Sequence, residues 1–237
     1  MLTVLATMED AFDLSSELAE VWHEAAASYG KFRKESFLAG RALLQRLIRV
    51  DEPNFILPKI DFDKRGKPFF SKRADWYFNI SHSQGIIAVS VGKQEQGLDL
   101  EVVRKRPMLE LLKRRVLSGS ELEFLKSKTP ECADELFFML WTLRECLLKL
   151  SGRGLGGLES VRCDLDTMTA CCPNSDEGFV KSRLITESIL GKKGGKYWFS
   201  SFVPLFEEER LFVLEHGRLM SSDNILPEFC FKVQKSV

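Results

Sequence analysis

Tyr77-Phe78-Asn79-Ile80-Ser81-His82-Ser83-Gln84-Gly85-Ile86-Ile87-Ala88-Val89-Ser90-Val91-Gly92 is the stretch that decides the fold. Two strand-like runs, Trp76 to Ser81 and Gly85 to Gly92, flank a His-Ser-Gln-Gly turn, which is a hairpin pattern. A third strand follows in Gly97-Leu98-Asp99-Leu100-Glu101-Val102, whose apolar and polar residues alternate strictly. Helical periodicity lies on either side. Lys31 to Arg49 places Phe37, Gly40, Leu44, Leu47 and Ile48 on one side and Lys34, Arg41 and Gln45 on another. Ser118-x-x-Glu121 has the form of a capping box opening a helix. Asp134 to Leu150 reads as a strongly apolar helix that Ser151-Gly152-Arg153-Gly154 ends. Hairpins interspersed with long helices give an α+β class.

A weak internal echo extends this outward. Tyr77 to His82 leading into Ile86 to Val89 is matched by Tyr197-Trp198-Phe199-Ser200-Ser201-Phe202 leading into Leu211-Phe212-Val213-Leu214. Both read as aromatic strand, polar turn, aliphatic strand. The second turn is acidic, Glu207-Glu208-Glu209. Two pseudo-duplicated halves, each a small antiparallel sheet packed with helix, would account for 237 residues: 1–98 and 99–237. No segment has the composition of a flexible linker, so the halves should abut.

Lys and Arg together number 34, as do Asp and Glu, so no global field recruits nucleic acid or membrane. The six cysteines show no paired C-x-x-C spacing, and reduced thiols in a cytoplasmic protein are the simplest account. The N-terminus lacks a basic leader and does not resemble a secretory signal. The run Leu136 to Trp141 is far too short to span a bilayer.

Asp99 and Glu101 leave the same strand face with their bases about 6.6 Å apart. Two such carboxylates can share a small hard cation; the same pattern also fits solvated acids on a half-exposed strand. Glu145 and Lys149 lie four apart on a helix where, from Leu136 to Leu150, only Arg144 joins them as a charge. They could form a surface ion pair, but charges on an apolar helix need a partner or a polar cleft. His82, between two serines at the hairpin turn, offers donors to an anion and is equally compatible with a structural role. Lys31 to Arg49 carries six basic residues against one acid, and Arg65-Gly66-Lys67-Pro68 adds cations on a tight turn. Hydroxyl, imidazole, three carboxylates and an ammonium suit magnesium-assisted chemistry on a phosphate ester.

Phe78-Asn79-Ile80-Ser81-His82-Ser83, Gly97-Leu98-Asp99-Leu100-Glu101 and Trp141-x-x-Arg144-Glu145-x-x-x-Lys149 resemble the signature of the 4′-phosphopantetheinyl transferases. Arg65-Gly66-Lys67-Pro68-Phe69 and Phe37-Leu38-Ala39-Gly40-Arg41 fit as well. The likeness runs from about Lys31 to Gly154 and is to the longer, monomeric surfactin type, not the short trimeric synthases. The resemblance implies transfer of the phosphopantetheine arm of coenzyme A to a serine of an apo acyl or peptidyl carrier protein, releasing adenosine 3′,5′-bisphosphate. It implies an active site at the interface of the halves, with the adenylate on the N-terminal side and the metal and carrier on the C-terminal side. Asp99, Glu101 and Glu145 would hold Mg2+, and Glu145 would also deprotonate the acceptor. Lys149 would meet the diphosphate. Arg41, Lys67 and His82 would bind the adenylate end and its 3′-phosphate, with Ser81 on a diphosphate oxygen. Glu121 corresponds to an acid near the metal in some members, although its capping box explains it. Departures are Arg144 for the usual lysine, Cys146 for alanine or serine, and leucines in place of branched aliphatics around Asp99.

Two rivals give the same residues other work: a non-catalytic module binding coenzyme A or carrier protein, and a magnesium-dependent coenzyme A pyrophosphohydrolase. Arg104-Lys105-Arg106 and Lys113-Arg114-Arg115, interleaved with Met108, Leu109, Leu111 and Leu112, form either a solvated segment or a docking surface for an acidic carrier.

Overall fold

Leu2-Thr3-Val4-Leu5-Ala6-Thr7, buried at every position, is the central strand of a five-stranded sheet. The computed structural model describes residues 1–73, 75–186, 195–222 and 224–234. In chain order the elements are β1 (Leu2–Thr7), α1 (Met8–Asp13), α2 (Glu20–Ala25), α3 (Lys31–Ile48), β2 (Ile60–Phe62), β3 (Pro68–Phe70), β4 (Tyr77–Ser83), β5 (Ile86–Gly92) and β6 (Leu98–Val102). They continue with α4 (Leu109–Val116), α5 (Gly119–Lys126), α6 (Pro130–Ser151), β7 (Arg162–Asp164), β8 (Thr169–Cys171), β9 (Gly178–Thr186), β10 (Lys196–Pro204), β11 (Arg210–Glu215), β12 (Arg218–Ser221) and β13 (Phe229–Gln234). The class is α+β, as the sequence indicates.

The chain forms two units. The first is Met1–Gln96 with Glu208–Ile225, the second Gly97–Glu207 with Leu226–Val237. The chain leaves the first unit after Gln96, but it does not divide there once. It returns, because β11 pairs in parallel with β1 and so belongs to the first sheet.

The first unit's sheet has the order β12-β11-β1-β5-β4. Leu38, Leu43, Leu44, Leu47 and Ile48 of α3 share a core with Val4, Val89 and Phe78. The β4–β5 hairpin turns through Gln84 and Gly85, at φ 39° and 82°. This left-handed pair matches strand twist in a two-residue turn and suits the glycine. His82 therefore lies within β4, paired with Ile87, and not in the turn where the sequence pattern put it.

The second unit's sheet has the order β6-β10-β9-β13-β8-β7. Helix α6 begins with Thr129 capping Cys132 N–H and Pro130 in the first turn, and it stops at Gly152 in the left-handed region, φ 67°. Phe137, Phe138, Leu140, Leu143 and Leu147 are buried with Trp198, Phe202 and Phe231. A Cβ on Gly97 would come within 2.8 Å of Leu150 Cβ and collide with Cys146 O, so α6 lies directly on the entry to β6.

The echoed second hairpin does not form. Tyr197 to Phe202 lies in β10, paired with β6 and β9, whereas Leu211 to Leu214 lies in β11, paired with β1 and β12. Local pattern gave both segments as strands, but long-range pairing assigned them to different sheets. A different correspondence is present. Strand, long helix and antiparallel hairpin occur in the same order as β1-α3-β4-β5 and β6-α6-β9-β10, and in each the hairpin's second strand pairs with the leading strand.

Candidate functional site

The candidate residues divide between the units. Asp99, Glu101, Glu145 and Lys149 lie in the second; Arg41, Lys67, Ser81 and His82 lie in the first.

In the second unit, β6 alternation sends Asp99 and Glu101 to one face, and α6 supplies Glu145 and Lys149 one turn apart. Lys149 Nζ donates to Asp99 Oδ1 at 2.7 Å, so the ammonium reaches across from the helix to the strand aspartate. Glu101 is paired with Arg106. Glu145 is buried, and its Oε1 has no hydrogen-bond partner among the described residues. Burial, reinforced by the negative charge of Asp99 and, to a smaller extent, Glu101, pushes its carboxyl up to about 7 against the opposing pull of Lys149. These groups sense one another strongly, and burying a carboxylate without a partner is costly.

In the first unit, Arg41 folds back onto α3. Its guanidinium lies 3.3 Å from the Phe37 ring centroid and 5.1 Å from that of Trp22, and Nη1 donates to Phe37 O at 3.0 Å. Burial lowers its pKa to about 10, despite a smaller raising effect from Tyr29. Lys67 ends a turn in which Asp63 Oδ1 accepts from the Arg65 and Lys67 backbone N–H groups, both at 2.8 Å. Its Nζ donates to Glu95 Oε2 at 2.5 Å. Lys67, Phe69, Trp76, Tyr77 and Glu95 line a cleft of about 390 Å³. Ser81 is buried and His82 exposed, as neighbours on a strand that leave opposite faces.

The profile of the 4′-phosphopantetheinyl transferase superfamily matches residues 95–198, the segment that contains the four carboxylate and ammonium residues. The 4′-phosphopantetheinyl transferase AcpT of Salmonella typhimurium is 33% identical over 155 residues, covering 60% of this chain and 78% of that protein. The chain belongs to this superfamily of enzymes. The 4′-phosphopantetheinyl transferase HetI of Nostoc sp. is 34% identical over 158 residues, 64% of each chain. AcpT of Escherichia coli strain K12 is 34% identical over 130 residues, covering 54% of this chain and 64% of that protein. The match therefore spans a little under two thirds of HetI and of the Escherichia coli relative. For this transferase-family chain, no helix among the described residues is long and apolar enough to cross a membrane.

A metal is implied by the resemblance, and the residues can be tested for it. Among the described residues no three His, Cys, Asp or Glu side chains are already gathered in ligating arrangement, since Asp99 is turned to Lys149 and Glu101 to Arg106. The donor set is nonetheless all carboxylate oxygen, which suits a hard cation, and the buried Glu145 Oε1 is an acceptor that a cation would satisfy. The residues fit magnesium.

Glu121 has a different task. Its capping box on α5 is complete: Ser118 Oγ accepts from Glu121 N–H, and the Glu121 carboxylate accepts from Ser118 N–H at 2.6 Å. That carboxylate also receives Arg144 Nη2 at 2.5 and 2.6 Å, with both side chains essentially fully buried. Burial by itself would raise its pKa, but the Arg144 charge, the Arg144 hydrogen bonds and those from Ser118 outweigh burial and hold it below the ordinary value. The acid is a clamp between α5 and α6. Sequence reasoning missed Glu95, and it placed Arg106 and Lys113 in the basic surface. Arg106 instead holds Glu101, and buried Lys113 holds Glu110 and Asp134. Of these, Lys67–Glu95 and Lys113–Asp134 join residues 28 and 21 positions apart and have no local signal.

Breaking one side of the buried clamp leaves an uncompensated charge, which costs about 3–5 kcal/mol. Arg144→Met should lower the chemical-denaturation midpoint accordingly, and the double variant Arg144→Met/Glu121→Met should recover a large part of the loss. An Arg144→Met midpoint equal to wild type would show that the pair does not bear on stability.

Proposed function

We propose that this chain moves the 4′-phosphopantetheine arm of coenzyme A onto a serine hydroxyl of an apo acyl or peptidyl carrier protein, with magnesium, releasing adenosine 3′,5′-bisphosphate. The observation that carries this reading is the buried Glu145 carboxylate, with one unpartnered oxygen, beside the Asp99–Lys149 ion pair.

Asp99, Glu101 and Glu145 are the residues that would hold magnesium, whose contribution when bound is to neutralise charge on the diphosphate. Lys149 would turn from Asp99 to a diphosphate oxygen and meet the negative charge that grows as the bridging bond breaks. Glu145 would take the serine proton, directly or through water. The serine oxygen then bonds to the phosphorus that bears the pantetheine arm. That phosphorus loses its bond to the bridging oxygen, whose electron pair departs with adenosine 3′,5′-bisphosphate.

The first unit would take the adenylate end. A cleft with Phe69, Trp76 and Tyr77 beside Lys67 suits an aromatic base next to a phosphate. Lys67, Arg41 and His82 would meet the 3′-phosphate and Ser81 a diphosphate oxygen; the opposite facing of Ser81 and His82 gives them separate tasks. The shared order of strand, helix and hairpin supports descent of the two units from one duplicated piece. The six cysteines, carried as thiols, support action in the reducing cytoplasm, and we take the protein to act as a monomer.

The carrier would dock on α4 and the segment before it. With Arg106 and Lys113 engaged in ion pairs, the exposed cations are Arg104, Lys105, Arg114 and Arg115, next to exposed Met108 and Leu111. Such a surface fits an acidic helix with an apolar stripe.

Incubation with coenzyme A, magnesium and apo carriers, read by intact mass, should show the carrier gaining the phosphopantetheine arm. Asp99→Asn and Glu145→Gln should each lower that turnover roughly 10²-fold or more, while leaving the melting temperature near wild type. Lys149→Ala should lower kcat more than it weakens coenzyme A binding. Consumption of coenzyme A without carrier modification would favour the pyrophosphohydrolase, and binding without turnover the non-catalytic module.

The carrier surface has its own test. The carrier KM should rise steeply with sodium chloride while that for coenzyme A moves less, and charge reversal at Arg114 and Arg115 should mimic high salt. Unchanged carrier affinity in the reversed variant at low salt would place docking elsewhere.

A further inference from the structure

The sheet of the second unit carries a row of hydroxyls that this mechanism does not use. Ser200 on β10 stands directly opposite Asp99 on β6 and, on its other side, opposite Ser182 on β9. Residues directly opposite one another share a sheet face. From α6, Thr142 Oγ1 reaches that row, 2.9 Å from Ser200 Oγ, and Ser200 Oγ lies 2.8 Å from Ser182 Oγ. All three side chains are fully buried.

Counting hydrogens fixes the direction of this chain. Thr142 Oγ1 donates to Met139 O at 3.0 Å, which uses its one hydrogen. Thr142 must then accept from Ser200, and Ser200, its own hydrogen used, must accept from Ser182. Each hydroxyl is satisfied by the next, so the row avoids the cost of burying unpaired polar atoms.

The position of the chain is what gives it consequence. Thr142 precedes Glu145 by three residues and Lys149 by seven, spacings that fall on one helix face. The two surfaces that present Glu145, Lys149 and Asp99 are thus joined about one turn away. Around the joint the interface is apolar, with Met139, Leu143, Leu147, Trp198 and Phe202. Apolar packing of adequate volume tolerates small shifts and repacking. Directional hydrogen bonds do not, and buried polar groups are best attested as devices that set register.

We propose that the Thr142–Ser200–Ser182 chain is a positioning element that sets the register of α6 on β6 and β10, so that Glu145 and Lys149 meet Asp99. The inference rests on the preceding reading, in which those three residues carry the reaction. None of the hydroxyls touches substrate; they act through the charged residues.

Thr142→Val keeps the shape and removes the hydroxyl, Thr142→Ser keeps the hydroxyl, and Ser200→Ala removes the middle link. Steady-state kinetics and thermal melting of the full chain, with coenzyme A and an apo carrier, are compared with Glu145→Gln alongside. Thr142→Val and Ser200→Ala should each lower kcat about tenfold, because sub-ångström misplacement is costly at a reacting centre. The coenzyme A KM should stay within about twofold. Thr142→Ser should retain most of the turnover, and the Thr142→Val/Ser200→Ala pair should be no worse than the poorer single variant. Wild-type kcat per folded molecule in Thr142→Val, with only a lowered melting temperature, overturns the proposal. Equal loss in Thr142→Ser and Thr142→Val does so too. Should Thr142→Val not fold, the kcat of Ser200→Ala decides on the same criterion. A fully active Glu145→Gln removes the site reading and this inference with it. An inactive Glu145→Gln beside fully active hydroxyl variants removes the positioning role alone.

Discussion

Helix α6 carries Arg144, Glu145 and Lys149 into a setting where every other residue from Leu136 to Leu150 is uncharged, and Arg144 and Glu145 are buried while Lys149 is partly buried, which favours a partner for each. Arg144 finds Glu121, Lys149 finds Asp99, and Glu145 keeps one oxygen without a hydrogen bond. Three requirements are therefore met in three ways: a buried clamp, an ion pair from helix to strand, and a buried carboxylate oxygen without a hydrogen bond among the described residues. The clamp ties α5 to α6 on the side of the helix away from the strand aspartate. In the proposed function Lys149 would leave Asp99 for a more negative group. In the proposed function the Glu145 oxygen would take up the metal or the proton.

That arrangement depends on how closely α6 approaches β6. Gly97 permits the contact, since any side chain there would meet Leu150 and the Cys146 carbonyl. The approach brings the 99–101 face of the strand under the 145–149 face of the helix. Arg106 serves the same end from the chain that follows β6, by holding Glu101 with a charge that a bound cation would replace. The first unit repeats the logic at smaller scale, with Lys67 held by Glu95 at the mouth of an aromatic cleft. In both units a basic group is held by an acid, Lys67 by Glu95 and Lys149 by Asp99.

Much of this was legible in the sequence. Strict alternation over Leu98 to Val102 gave the strand and the shared face of Asp99 and Glu101, and three-to-four periodicity gave α3 and α6. The Ser118–Glu121 capping box was visible because it is local. What sequence could not give was pairing over distance. The aromatic run at Tyr197 and the aliphatic run at Leu211 look like one hairpin, but Met1 O accepts from Arg210 N–H and β11 joins β1. Likewise Lys113 looked like part of a basic surface, although Asp134, 21 positions along, holds it inside. His82 shows the finer limit: β4 runs two residues beyond Ser81, which brings His82 out of the turn into the strand and onto the face opposite Ser81.

In the proposed function Asp99, Glu101 and Glu145 form a site for a divalent cation on the coenzyme A diphosphate. Manganese binding followed by electron paramagnetic resonance tests it most directly, with coenzyme A present and Glu145→Gln measured beside wild type. The account requires a bound-manganese signal in the wild-type protein that grows with coenzyme A and is largely lost in Glu145→Gln. Equal manganese binding by both proteins would contradict it.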